Sequence, residues 1–312
     1  MIFAHSPFVA VLAATLLSVQ FAFSQEAPLN RFVVIDEQTL KPIPFVSISL
    51  LRANLYINTE DDGIFSIPGE LPKIKDTLRV SAQNYATLLI PLGKLSAQNS
   101  IRLKPVPYKP NKAKRTLTKD SVLNDFSRRD ITHYAGIQKT AADADHLQLA
   151  QQFDLPFAGA LLREVTIHRL AFTFHHNGGI ESTRFHLRVY GLDKNTGGPG
   201  KDLCGRIIEI KNRESKRISV NLQDDNIVIP DTTFFVAIEI LRNYDNFGYA
   251  DVFDPKTGIR KRVVNYRPAI AISPERGDKT KIWAMNMRQQ WSPYTYFYPD
   301  FTDLAIKATI RK

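Results

Sequence analysis

The chain has 312 residues, of which 44% are hydrophobic, 10% aromatic and 23% charged. This composition excludes a disordered chain and leaves apolar mass for two cores, since domains of roughly 100–200 residues are usual. The formal net charge is +10, but the lysines and arginines are scattered apart from Lys109, Lys112, Lys114 and Arg115. That pattern points to a solvated basic surface and away from a nucleic-acid site.

In chain order, the first feature is an apolar run within Phe8 to Phe23, followed by Ala22-Phe23-Ser24. Small residues at 22 and 24 fit the cleavage rule of a secretory signal, so residues 1–24 are expected to be a signal peptide. The run is short for a spanning helix, which needs about 20 apolar residues, and no later stretch reaches that length. A buried first helix is the competing reading. No cysteine follows the expected cleavage site, so a lipoprotein anchor is not expected. Cys204 is the single cysteine; an intrachain disulfide is therefore impossible, and the thiol, with no hydrolase pattern around it, reads as a small buried hydrophobe.

Residues 30–104 read as strands. Val46, Ile48 and Leu50 alternate with Ser47 and Ser49, and Leu78, Val80 and Ala82 and then Leu88, Ile90 and Leu92 repeat the period of two. Asp62-Gly63 marks a tight turn with glycine at positive φ, after which Phe65 and Ile67 return to the core. About seven short strands with no helix predict a small antiparallel sandwich.

The order Val34-Ile35-Asp36, Thr39, Pro42-Ile43-Pro44-Phe45-Val46, Thr59, Asp61-Asp62-Gly63-Ile64-Phe65 and Leu78-Arg79-Val80-Ser81 resembles the carboxypeptidase regulatory-like domain. The resemblance covers this front quarter only. It implies a transthyretin-like seven-stranded sandwich of the kind found in exported and outer-membrane proteins of Bacteroidota. It supplies no catalytic residues and points to scaffolding or docking. Phe32 and Asn84 stand where the family usually has glycine; Asn tolerates positive φ nearly as well.

Residues 105–153 follow as a linker, opened by Pro105, Pro107 and Pro110. A short helix is expected near its end, with Leu147, Ala150 and Gln151 or Phe153 on one face. Residues 154–312 read as a second, larger β-sandwich of jelly-roll type. In it, Phe185, Leu187 and Val189 face inward while Arg184, His186, Arg188 and Tyr190 face outward. Phe234 to Leu241 is apolar on both faces, as in a central strand.

No motif supports catalysis. His-Glu-x-x-His and Gly-x-Ser-x-Gly are absent, and Gly197-Gly198-Pro199-Gly200-Lys201-Asp202 departs from a phosphate loop and reads as a surface loop. Asp224-Asp225 and Asp143 with Asp145 lack the oxygen spacing of a calcium loop. His168, His175, His176 and His186 gather around one predicted hairpin, but they read as solvent-facing strand residues with no acid beside them, so neither metal nor cofactor is expected. The suggestive feature is aromatic. Trp283, Met285 and Met287 alternate, and Tyr294, Tyr296 and Tyr298 would share one side of an extended segment after Trp291. Trp291, Tyr294, Tyr296 and Tyr298, edged by Arg288, are the candidate ligand-binding residues; the competing reading makes them a lid on the core.

The sequence thus predicts an all-β protein exported to the periplasm or outer membrane, a non-enzymatic binding or assembly module for an envelope protein or glycan. The rival is an envelope hydrolase assembled from distant residues such as His175, His176 and Asp251. If the first segment is a signal, amino-terminal sequencing of the exported protein should return Gln25 as its first residue. An intact Met1 terminus in a cytoplasmic fraction would end the export argument.

Overall fold

The computed structural model describes residues 29–53, 55–68, 75–95, 100–111, 119–135, 146–170, 183–212, 215–243, 246–253 and 257–311. The expected signal segment lies outside them, as do His175 and His176. The protein is all-β.

The front unit comprises β1 (Leu29–Asp36), β2 (Ser47–Leu50), β3 (Leu55–Asn58), β4 (Ile64–Pro68), β5 (Thr77–Ser81), β6 (Leu88–Pro91) and β7 (Ser100–Leu103). Two sheets, ordered β4-β1-β7 and β3-β2-β5-β6, close on Phe32, Val34, Ile48, Leu50, Phe65, Ile67, Leu78, Val80 and Leu103. The alternating residues read from the sequence fill this core. One expectation changes: the sandwich is not wholly antiparallel, because β1 and β7 pair in parallel. A parallel neighbour needs a long crossover, and five intervening strands provide one. Asn84, standing where glycine was expected, takes φ 63°.

The second unit comprises β8 (Asp120–Leu123), β9 (Tyr134–Ala135), β10 (Gln148–Asp154), β11 (Leu161–His168), β12 (Thr183–Leu192), β13 (Pro199–Asp202), β14 (Ile208–Asn212), β15 (Arg217–Asn221), β16 (Thr233–Ile240), β17 (Phe247–Phe253), β18 (Arg260–Tyr266), β19 (Ile270–Ala271), β20 (Ile282–Met285), β21 (Trp291–Pro293) and β22 (Ile306–Arg311). A seven-stranded sheet runs β13-β12-β16-β10-β20-β21, with β14 also on β12, and a four-stranded sheet runs β15-β11-β22-β8. Between them lies one core containing Leu149, Phe153, Leu162, Val165, Phe185, Leu187, Val189, Phe234, Val236 and Ile306. As expected, Phe234 to Leu241 is buried along its length and forms the central β16.

The segment expected as a linker contributes strands to this unit. No helix forms at Leu147–Phe153; β10 pairs with β16 on one side and β20 on the other. Its apolar residues sit three apart because both of its faces are covered: Leu149 and Phe153 enter the main core, and Ala150 packs with Tyr190 and Phe235 on the reverse face. Helical spacing without a polar face is what a doubly covered strand can also show. β8 likewise pairs with β22. The glycine-rich stretch after Val189 is a hairpin, with β13 returning along β12.

Gly63 sits at φ 71°, and a Cβ there would lie 2.9 Å from the Val34 carbonyl oxygen and 3.0 Å from that of Ile43. Backbone on both sides leaves no flexible group to yield, so a side chain adds a clash to the left-handed strain. From the turn alone, Gly63→Val is worth about 1–2 kcal/mol; with the clash, about 2–4 kcal/mol is expected. Urea unfolding of the variant measures it, and an unchanged midpoint would refute this account of the turn.

Candidate functional site at the joint between the two units

The outward face of β12 is not solvated. Arg184, His186 and Tyr190 are buried, His186 to 3% exposure. The front unit covers Arg184 and His186, Trp291 of the second unit covers Tyr190, and Ser47 and Ser49, the polar side of β2, are buried as well. Phe45 reaches across the joint. It is a non-glycine residue held at φ 53°, a conformation that costs of order 1–3 kcal/mol unless the surroundings fix it. Its ring lies edge-on to His186 at 5.6 Å, and the Arg184 guanidinium stacks over it at 5.0 Å. The Pro-Ile-Pro stretch of the front unit thus delivers this ring to the second unit.

Behind Phe45 lies a charged network. His186 pairs in register with Glu239 of β16, and the Glu239 carboxylate accepts from His186 Nδ1 at 3.1 Å. Arg188 reaches Asp202 at 2.7 Å and Glu239 at 3.5 Å. Burial alone would raise the Glu239 carboxyl, but Arg188 and His186 outweigh it and hold it below the ordinary carboxylate range. Tyr190 donates to Gln148 Oε1 at 2.9 Å. From the front unit, Ser47 Oγ and the Tyr56 hydroxyl share a 2.6 Å hydrogen bond.

Further bonds tie the units together. Arg188 donates to Gln83 Oε1 at 3.1 Å, and Gln83 Nε2 donates to the Cys204 carbonyl at 3.1 Å. Asn84 and Tyr108 donate to the Gly205 and Leu203 carbonyls, Arg184 meets Asp61 at 2.7 Å, and Asn58 Oδ1 accepts from Arg242 N at 2.8 Å. They enclose a cavity of about 150 Å³, lined among others by Phe45, Tyr56, His186, Arg188 and Glu239.

What can this arrangement do? His186 has the partner that orients an imidazole, and its Nε2 is buried without a hydrogen bond. Yet the lining hydroxyls of Ser47 and Tyr56 bond to each other, and that of Ser81 accepts from Gln289. Burial pushes the Cys204 thiol up, further from the thiolate. The volume is below the 300–1,000 Å³ or so of ordinary ligand pockets. The network joins two domains by paired charge.

Two expectations are therefore corrected. His168 and His186 are not solvent-facing; both are about 95% or more buried, at 5% and 3% exposure, because other elements pack over the strand faces that alternation marks as outward. His186 does have an acid beside it. Glu239 was legible as a signal, being the single acid inside an apolar central strand, where a buried carboxylate requires a cation. Among the described residues no group of three or more His, Cys, Asp or Glu side chains is placed to hold a metal. The hydrolase constellation cannot be assembled from the described residues, since His175 and His176 lie outside them and the side chain of Asp251 is not described.

The five aromatic and basic candidates do not form one face. The chain turns after β21, so Tyr294, Tyr296 and Tyr298 are not in an extended row. Trp291 packs edge-on to Tyr190 at 5.7 Å, on the reverse of the large sheet. Tyr294 is half-buried against the main core and stacks with Tyr296, their ring centroids 6.2 Å apart. Tyr296 and Tyr298 are 55% and 42% exposed. Arg288 belongs to the joint, its carbonyl accepting from Arg79 of the front unit at 2.8 Å.

No family model matches the chain, and no curated protein matches it. Among solved structures, it is similar to the cysteine protease and lectin-like domains of a surface layer associated protein of Clostridium difficile, at 10% identity and a TM-score of 0.35, covering 86% of this chain and 59% of that one. T=1 particles derived from Infectious Bursal Virus give 9% identity and a TM-score of 0.16, over 91% of this chain and 57% of that one. The chain thus spans under two thirds of either.

Arg188 is the network's centre, and its removal strands two carboxylates. Arg188→Met should destabilise by about 3–5 kcal/mol at neutral pH. In the wild type, the depressed Glu239 contributes stability above its unfolded pKa and loses it as pH falls through the folded value; in the variant, burial raises Glu239, so acid relieves it. The gap between the two proteins should narrow from pH 7 to pH 4 in urea melts. A gap that widened or stayed constant would show that charge is not what holds the joint.

Proposed function

We propose that the protein is an exported, non-enzymatic binding or assembly module of the cell envelope, whose two sandwiches act as one block. The observation that carries this reading is the closed joint. The groups best suited to acid–base chemistry, His186 and Glu239, are covered by the front unit, while the aromatic turn after β21 is presented outward. The 3+4 strand arrangement of the front unit supports its resemblance to the carboxypeptidase regulatory-like sandwich, and with it a docking role.

The ligand in this reading is an envelope protein or glycan received on Tyr296 and Tyr298. Tyrosine offers a flat apolar face, a polar tip and few rotors to freeze on binding. The turn is held from behind: Tyr298 donates its hydroxyl to the Asp278 carbonyl at 2.9 Å, Phe301 N donates to the Phe297 carbonyl at 2.9 Å, and Tyr296 meets Phe297 edge-on at 5.0 Å. Tyr294 and Trp291 act as supports.

Tyr296→Ala with Tyr298→Ala should leave stability within about 1 kcal/mol, since both rings are largely exposed, and should abolish capture of the partner found with the wild type on a glycan array or in an envelope pull-down. Equal capture by wild type and variant, or a melting temperature lowered by several degrees, would make the turn a lid on the core instead.

A further inference from the structure

A second cavity, of about 120 Å³, lies at the end of β11 and is lined by Arg128, Tyr134, His168, Arg169 and Lys216 with two small apolar neighbours. None of the described residues that line it is acidic. Arg169 is 1% exposed, yet its guanidinium meets only neutral acceptors: Thr183 Oγ1 at 3.2 Å, Asn212 Oδ1 at 3.1 Å, and the Leu170 and Asn212 carbonyls at 3.3 Å. Its Nε is buried without any acceptor. Beside it, the His168 imidazole is 5% exposed, and its ring lies edge-on to Phe126 at 5.4 Å. Charged groups face this imidazole from three sides: Arg217 of β15, Lys307 of β22 and Arg128 of the turn after Phe126. All are cationic. With burial, they push it down to about 4, and burial with Arg267 brings Arg169 down to about 10.

Two other arginines of this unit are matched by acid, Arg184 by Asp61 and Glu209 and Arg188 by Glu239 and Asp202. Here the cations converge on a volume whose described lining carries no acid, an arrangement that burial penalises unless an anion completes it. We propose that this cavity is a binding site for a small tetrahedral oxyanion of the phosphate or sulfate class. Its volume equals about four waters' share of the liquid, enough for one such ion and too small for a nucleoside beside it. A guanidinium, an ammonium, an imidazole and a phenol arriving from different elements match oxygens that point in different directions, better than they match a planar carboxylate. Arg128 and Lys216 are exposed and form the mouth, so the anion is either a free ion or the terminal group of a phosphate or sulfate ester.

The test is calorimetric titration of the full mature chain with inorganic phosphate, sulfate, glycerol phosphate and acetate at low ionic strength. Saturable one-to-one binding of phosphate or sulfate, with acetate weaker, is expected. Lys216→Ala and Arg128→Ala alter exposed side chains and so keep the fold; each should weaken binding about tenfold. A second readout is the His168 imidazole followed by NMR, whose titration should move up by about one unit or more when phosphate is bound, because the anion favours the protonated ring. Glycerol phosphate binding as tightly as phosphate assigns the site to an esterified group; binding of the inorganic ions alone assigns it to the free ion. Absence of saturable binding for all of them, or affinity unchanged in both variants, overturns the proposal.

Discussion

The architecture depends on one guanidinium. Arg188 projects from the wrong side of a strand for a core residue, and what makes its burial tolerable is Asp202 at 2.7 Å, Glu239 at 3.5 Å and Gln83 at 3.1 Å. A buried ion pair contributes little net stability against an apolar substitute, but losing one member is costly. Such a contact therefore specifies geometry. Gln83 belongs to the front unit and Asp202 and Glu239 to the second, so the front sandwich has one seating in which all three reach the same cation. Apolar surfaces alone would tolerate sliding; a network of fixed donors and acceptors does not.

The surrounding contacts follow from that seating. The stretch between β13 and β14 offers the Leu203, Cys204 and Gly205 carbonyls in a row, and Tyr108, Gln83 and Asn84 each donate to one. Asn84 can do so because it already occupies φ 63°, so the residue that replaces an expected glycine supplies a side chain glycine would lack. The strain at Phe45 reads the same way. A left-handed bulky residue persists only when its neighbours over-determine it, and here Arg184 on one face and His186 at the edge do so.

Much of the fold was legible because period-two alternation reports which residues are apolar. It located β2, β5 and β12 and the inward residues of each, and a run apolar on both faces marked β16. It could not report what covers the polar side. Ser47, Ser49, Arg184 and His186 look like solvent-facing residues in one dimension, and they are buried because two domains share those faces. The same ambiguity made β10 resemble a helix: Leu147, Ala150 and Phe153 are apolar for reasons belonging to different neighbours. The aromatic row failed for a different reason. Side-by-side placement of Tyr294, Tyr296 and Tyr298 requires extended backbone, and the chain turns there, with Pro299 following directly after Tyr298. Only Glu239 carried a sequence signal of the joint, as an acid in an otherwise apolar strand.

Arg188 and Arg169 in the second unit show how charge balance separates structure from ligand. Arg188 lies among acids contributed by its own chain, Asp202 and Glu239. Arg169 is 1% exposed, but its neighbours are Arg267, His168, Lys216 and Arg128, and its hydrogen bonds end on neutral oxygens. Folding alone does not favour such a cluster, since every member raises the cost of the next. An apolar residue of similar volume would fill the position without that cost. The arrangement becomes intelligible when a negative charge arrives from outside: the repulsion that opposes the empty site is the attraction that holds the ion. The same side-chain chemistry thus serves two ends in one sandwich, a joint where the protein supplies both signs and a pocket where it supplies one.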